Sequence, residues 1–100
     1  MRLTDNFTLE EFTRSSTADR LGIVNVPGIT ETGHIRMLCE TILQPARNAL
    51  GPIQVLSGFR SERLNQAVGG VPHSAHQLGY AADIVPVRVS KIELARTSQL

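Results

Sequence analysis

Ile35, Leu38, Cys39, Ile42, Leu43, Ala46 and Leu50 recur at three- and four-residue spacing, and this stripe constrains the fold more than any other feature. On a helix such residues share one face, so the spacing predicts a long amphipathic helix with its stripe against a core. Thr30 or Thr32 would cap its start, and Gly51-Pro52 would end it. Pro45 lies inside the pattern and should remove a hydrogen bond and bend the helix. Cys39, the only cysteine, falls on the apolar face. It reads as a buried structural thiol, and a lone cysteine excludes an internal disulfide framework.

Shorter elements flank this helix. Thr8-Leu-Glu-Glu11 has capping-box form, with Phe7 and Phe12 placed for a hydrophobic staple, and predicts a helix from about Leu9 to Ser15. Thr17 to Gly33 reads as irregular, punctuated by Gly22, Pro27 and Gly28. Ile53–Leu56 reads as a strand. Ser61 caps a helix over Glu62 to Val68, which Gly69-Gly70 stops. Pro72 to Tyr80 reads as a loop, and Ala81–Val85 as a second strand that Pro86 ends. Ser90-Lys-Ile-Glu93 is a further capping box, opening a helix that runs toward Leu100; the box accounts for Glu93 better than a catalytic role does. The order of elements predicts one α+β domain over residues 1–100, with helices on one side of a small, mainly antiparallel sheet. With no later strand to complete the sheet, the domain is expected to be incomplete at its C-terminus. An open edge of that kind favours self-association into a dimer or larger assembly.

Composition narrows the function classes. The chain has 100 residues, 41% hydrophobic and 19% charged, with a net charge of +1. That is a globular composition, and acids and bases are interspersed rather than gathered in the basic stripe of a nucleic-acid binder. No apolar run is long enough for a membrane span. Met1–Phe7 lacks an apolar signal region, so the expectation is synthesis in the reducing cytoplasm, without a secretory leader.

Candidate chemistry is concentrated in Ser74-Ala-His76-Gln-Leu-Gly79-Tyr-Ala-Ala-Asp83. Imidazole nitrogen and carboxylate oxygen are donor types that zinc accepts in open, catalytic sites. A single His-x6-Asp pair is weak by itself, since a loop histidine and a strand-end aspartate that cap turns fit it equally well. Arg60, in Ser57-Gly-Phe-Arg60, has its own plainer reading as a surface ion pair with Glu62 or Asp83. His34 and His73 are poorly placed in the sequence to complete a metal site with His76.

The opening Phe7-Thr-Leu-Glu-Glu-Phe12, then Leu43-Gln-Pro-Ala-Arg47, Val55-Leu-Ser-Gly-Phe-Arg60 and Ser74-x-His76-x-x-Gly79-x-Ala81-Ala82-Asp83 together resemble the zinc D-Ala-D-Ala carboxypeptidases and the related phage L-alanyl-D-glutamate endopeptidases. The last two motifs, in this order and spacing, are specific. The resemblance implies a hedgehog/D-Ala-D-Ala peptidase-like fold with its last strands missing. It implies Zn²⁺ bound by His76 and Asp83, Arg60 beside the metal as a catalytic group, and Ser74 binding substrate. The implied reaction is hydrolysis of peptidoglycan stem peptides, in the cell wall, by water that the metal activates. It also implies a glutamate base and a third ligand, a histidine, in a later Glu-x-x-His or Trp-x-His-type segment. These 100 residues hold no such segment, so the chain alone is expected to be inactive. The alternative is a catalytically inactive remnant, or a cell-wall-binding or phage structural module that keeps the fold.

Overall fold

The computed structural model describes residues 1–87. The helix expected from Ser90 onward lies outside the described residues. In chain order the elements are β1 (Arg2–Thr4), β2 (Phe7–Thr8), α1 (Leu9–Thr13), α2 (Ser16–Leu21), α3 (Ile29–Leu38), a π-helical turn (Cys39–Leu43), α4 (Gln44–Leu50), β3 (Ile53–Ser57), α5 (Glu62–Ala67), α6 (Ala75–Leu78) and β4 (Asp83–Pro86). The α+β class is as expected, but the single sheet is not. The described strands form two separate antiparallel pairs, β1 with β2 and β3 with β4.

Start signals at α1 and α5 act as their chemistry requires. The Thr8 backbone N–H donates to Glu11 Oε1 at 3.3 Å, and the Phe7 and Phe12 rings meet at 6.1 Å between centroids, closing the staple. The Leu64 N–H donates to Ser61 Oγ at 3.2 Å at the start of α5. Other expectations need correction. Part of the Thr17–Gly33 stretch is helical: Ser15 Oγ accepts from the Ala18 N–H and starts α2, which Gly22 closes at φ 67°. Gly28, not a threonine, precedes α3. The second strand runs Asp83–Pro86 rather than Ala81–Val85, and its Pro86 pairs with Ile53 at the pair's end.

The long helix is present but changes pitch. Pro45 has no N–H to give the Thr41 carbonyl, and its ring would press on that carbonyl in a regular helix. The chain widens instead into the π turn, where the Gln44 N–H donates to the Cys39 carbonyl. Widening rotates the stripe. Ile35, Cys39 and Leu43 are buried, whereas Ile42 and Leu50, expected on the same face, are exposed. The core closes around these three residues with Leu3, Phe7, Phe12, Val55 and Phe59. Gln44, brought round by the turn, accepts from Thr4 Oγ1 at 2.7 Å and from the Asn6 N–H at 3.0 Å, fixing the β1–β2 hairpin.

Cys39 is fully buried. Burial pushes its thiol up to about 12 from its usual value near 9, with Glu11 and Glu40 adding to the shift. The folded protein should therefore hold about a thousandfold less thiolate than an exposed cysteine would. Disulfide-exchange labelling at pH 8 is expected to be slow in the native protein and fast in guanidinium. Native labelling at the unfolded rate would show that the core around Cys39 is not closed. No helix among the described residues is long and apolar enough to cross a membrane.

Candidate metal centre

The loop after β3 and the segment 74–83 are joined by two reciprocal hydrogen bonds. The His76 ring lies with Nδ1 at 2.8 Å from the Gly58 carbonyl, and the Arg60 N–H donates to the His76 carbonyl at 3.2 Å. His76 is thus not on a loop, as expected, but on α6, a single helical turn that Ser74 precedes and Gly79 closes at φ 81°. That turn and the β3–β4 pairing set His76 beside Asp83, the first residue of β4.

A carbonyl can only accept, so His76 Nδ1 carries a proton, and in the neutral imidazole the lone pair is then on Nε2. His76 Nε2 faces Asp83 Oδ2 at 3.6 Å. That is beyond hydrogen-bond range, yet close to the separation of roughly 3.4 Å that two donors take on one tetrahedral zinc with bonds of about 2.0–2.2 Å. An imidazole whose far nitrogen is tied to a backbone carbonyl is also the usual arrangement behind a metal ligand. The pair therefore fits two positions of a zinc site. Among the described residues, no group of three His, Cys, Asp or Glu side chains is close enough to hold a metal.

Arg60 stands on the same side, its Nη2 at 3.8 Å from Asp83 Oδ2. Its backbone is held by a residue the sequence did not single out, the buried Asn25. Asn25 Nδ2 donates to the Phe59 carbonyl at 3.0 Å and to the Thr13 carbonyl at 3.0 Å. Its Oδ1 accepts from the Ser61 N–H at 2.7 Å. The peptides on both flanks of Arg60 are thereby fixed. The other end of Arg60 meets a second asparagine: Nη1 donates to Asn65 Oδ1 at 3.3 Å, and Ser74 Oγ meets the same oxygen at 3.2 Å. The four residues expected at the site, Arg60, Ser74, His76 and Asp83, are thus gathered in one place, with Asn25 and Asn65 behind them.

The other two histidines stand apart. His34 Nδ1 lies 2.6 Å from the Leu78 carbonyl, and its Nε2 lies 3.0 Å from the Tyr80 hydroxyl. With both ring nitrogens engaged and the ring stacked on Tyr80 at 4.0 Å, His34 secures α3 to the last residue of α6 and to Tyr80 beyond it, and neither ring nitrogen is free to bind a metal. His73 adopts a positive φ of 58° at the turn before α6. Neither joins His76 and Asp83 in a donor group.

The electrostatic setting is open on one side. His76 and Arg60 side chains are mostly covered, at 15% and 20% exposure, whereas Asp83 is 59% exposed. A cleft lined by the polar Arg14, Ser16, Thr17, Ser57 and Arg60 and by the apolar Leu56, Phe59, Leu64 and Val68 adjoins the arginine. Neither His76 nor Asp83 lines it.

Comparison with known proteins gives two matches. The family model Peptidase M15 matches residues 5–100. The zinc D-Ala-D-Ala carboxypeptidase of Streptomyces albus G is 37% identical over 81 residues, covering 79% of this chain and 31% of that protein. The chain therefore spans about a third of the length of this relative. No solved structure matches. A family model that covers nearly every residue, and a relative that shares more than a third of the aligned positions, place the chain in the peptidase M15 family.

Proposed function

We propose that this chain is a zinc peptidase domain, or a portion of one, acting on the peptide bonds of peptidoglycan stem peptides in the cell wall. In this reading His76 and Asp83 hold the metal, Arg60 faces the scissile carbonyl, Ser74 holds substrate, and the fold is of the hedgehog/D-Ala-D-Ala peptidase kind. The observation that carries it is the orientation of His76, whose Nδ1 is committed to Gly58 while Nε2 points at Asp83 Oδ2 from 3.6 Å. Membership of the M15 peptidases supports it, and the name of the relative makes stem peptides ending in D-Ala-D-Ala the first substrate to test.

When bound, zinc supplies Lewis acidity toward a carbonyl oxygen and toward water. The residues of the chain supply the rest. The guanidinium of Arg60, fixed at its backbone by Asn25 and at Nη1 by Asn65, offers donors and positive charge to the oxygen on which negative charge grows. The Ser74 hydroxyl donates to Asn65, so its own oxygen is left to accept a backbone N–H of the substrate. The cleft that Arg60 shares with Ser15, Ser16, Thr17 and Ser57 offers hydroxyls to which an extended peptide could bond.

Elemental analysis after dialysis against zinc tests the metal assignment. The parent should retain zinc, and His76→Ala should bind it at least about 10–100-fold more weakly, the loss that even an outer-shell partner typically causes. Equal zinc in the two proteins would remove His76 from the site. A second reading, a cell-wall-binding or phage structural module without turnover, is favoured by the lack of a third donor among the described residues. It predicts stem-peptide binding that does not change when zinc is added.

A further inference from the structure

Two residues of the proposed centre converge on a third that the peptidase reading leaves without a role. Asn65 lies in α5 and is 1% exposed. An amide oxygen has two acceptor positions, and Asn65 Oδ1 uses both, for Arg60 Nη1 at 3.3 Å and Ser74 Oγ at 3.2 Å. Asn65 Nδ2 donates to the Val71 carbonyl at 2.8 Å. That bond fixes which way the amide faces, since a flip would set oxygen against oxygen and turn the NH₂ toward the guanidinium. The following loop is shaped around the same residue. The Gly70 N–H donates to the Asn65 carbonyl at 2.8 Å. A Cβ on residue 70 would stand 2.2 Å from Asn65 Oδ1 and 3.1 Å from Arg60 Nη1, so only glycine leaves the amide its place.

We propose that Asn65 is the positioning residue of this centre: its buried amide oxygen sets the guanidinium of Arg60 and the hydroxyl of Ser74 at a fixed spacing, and Gly70 makes room for it. What Arg60 and Ser74 act on rests on the peptidase reading; the arrangement itself does not. The choice of side chain follows from charge. A leucine of similar size would leave a guanidinium and a hydroxyl without their partner in a largely covered site. A carboxylate would hold both donors but would neutralise Arg60 at short range, weakening it as a partner for the charge that develops on a carbonyl oxygen. A neutral amide orients the arginine and leaves its charge available.

The test is the rate at which phenylglyoxal modifies Arg60, read by peptide mass spectrometry, with Arg14 and Arg47 of the same molecule as internal controls. In Asn65→Ala, Arg60 is expected to react about three- to tenfold faster than in the parent, as a hydrogen bond to a charged group is lost, while Arg14 and Arg47 keep their rates. In Asn65→Asp, which retains the acceptor and adds charge, Arg60 should react more slowly than in the parent. A merely structural residue would move all three arginines together, and the aspartate would not reverse the direction. Unchanged Arg60 reactivity in Asn65→Ala would overturn the proposal. Should that variant fail to fold by circular dichroism, Asn65→Asp decides alone, and no slowing there overturns it. Zinc content separates this outcome from the peptidase reading. Asn65→Ala should hold zinc as the parent does, because Asn65 bonds to neither His76 nor Asp83; loss of zinc would show that it supports the metal loop rather than the arginine. Equal zinc in the parent and in His76→Ala would refute the metal assignment while leaving the arginine result standing.

Discussion

Gly58→Ala is expected to lower the melting temperature by about 10 °C or more, whereas the same exchange at Gly33 should raise it slightly. At position 58 an added Cβ would meet Phe12 Cα and the Phe12 carbonyl oxygen at 2.7 Å and Phe12 Cβ at 2.8 Å. These are atoms of a helix whose Phe12 is 1% exposed, and the Phe12 carbonyl is already held by the Phe59 N–H at 2.7 Å. No rotamer relieves the contact, so α1 must separate from the end of β3. Overpacking of this kind costs about 1–3 kcal/mol, and the backbone identity of the atoms struck puts this case at the upper end. Alanine also reduces the freedom of the unfolded chain, which gives back only about 0.4–1 kcal/mol. The clash therefore wins. In a domain of this size each kcal/mol moves the midpoint by roughly 4–8 °C. Gly33 is the control: it is exposed in α3, nothing lies within 4 Å of its would-be Cβ, and helix propensity alone favours alanine by about 0.8–1 kcal/mol. Thermal unfolding followed by circular dichroism measures both. Equal midpoints for the two variants would show that the Gly58–Phe12 approach is looser than described. Because the Gly58 carbonyl faces His76 Nδ1, the variant should also weaken zinc binding if His76 is a ligand as proposed, which would link the packing of α1 to the proposed metal pair.

The grouping of the four candidate residues was legible in the sequence to the extent that it lies in residue type and order. Arg60, Ser74, His76 and Asp83 stand in two short motifs, and the fold needs only one strand pairing and one helical turn to gather them. Asn25 and Asn65 were not legible, because an asparagine carries no sign of whether it will be buried. Their roles come from carbonyls and N–H groups far away in sequence, at residues 13, 59 and 61 for one, and from Arg60, Val71 and Ser74 for the other. The one available signal was an asparagine inside α5 followed by Gly69-Gly70, which marks a close approach. In the fold, capping chemistry was readable wherever the cap is local, at Thr8–Glu11 and at Ser61. The π turn was not. Pro45 announced a distortion, yet whether a helix kinks or widens depends on which side chains the core will accept, here Cys39 and Leu43 with Ile42 turned out. The second β pair follows from the same limit. Strand propensity marked β3, but the hairpin Arg2–Thr8 depends on Gln44, some forty residues away in sequence, for its hydrogen bonds.

Arg60→Ala is expected to reduce stem-peptide hydrolysis by on the order of 10²–10³ while leaving bound zinc unchanged, the magnitude usual for loss of one donor to a developing oxyanion. Metal binding and charge stabilisation separate at this residue. Arg60 touches the proposed zinc site only through Asp83 Oδ2 at 3.8 Å, a long contact to a half-exposed carboxylate that adds little to metal affinity. Its other contacts, Asn65 at Nη1 and the flanks held by Asn25, aim the guanidinium rather than neutralise it. The assay needs a polypeptide that supplies a general base, since among the described residues no further carboxylate joins the His76–Asp83 pair. The aligned 81 residues are 31% of the relative, and a longer form that includes a general base is the one to compare. Arg60→Lys should recover only part of the rate. An ammonium keeps the charge but not the planar fork, so it cannot bond Asn65 and face a carbonyl oxygen in one fixed geometry. If the role is transition-state stabilisation, the loss falls on kcat more than on KM. A change confined to KM would reassign Arg60 to substrate binding, and zinc lost in proportion to activity would make it a support of the metal pair instead.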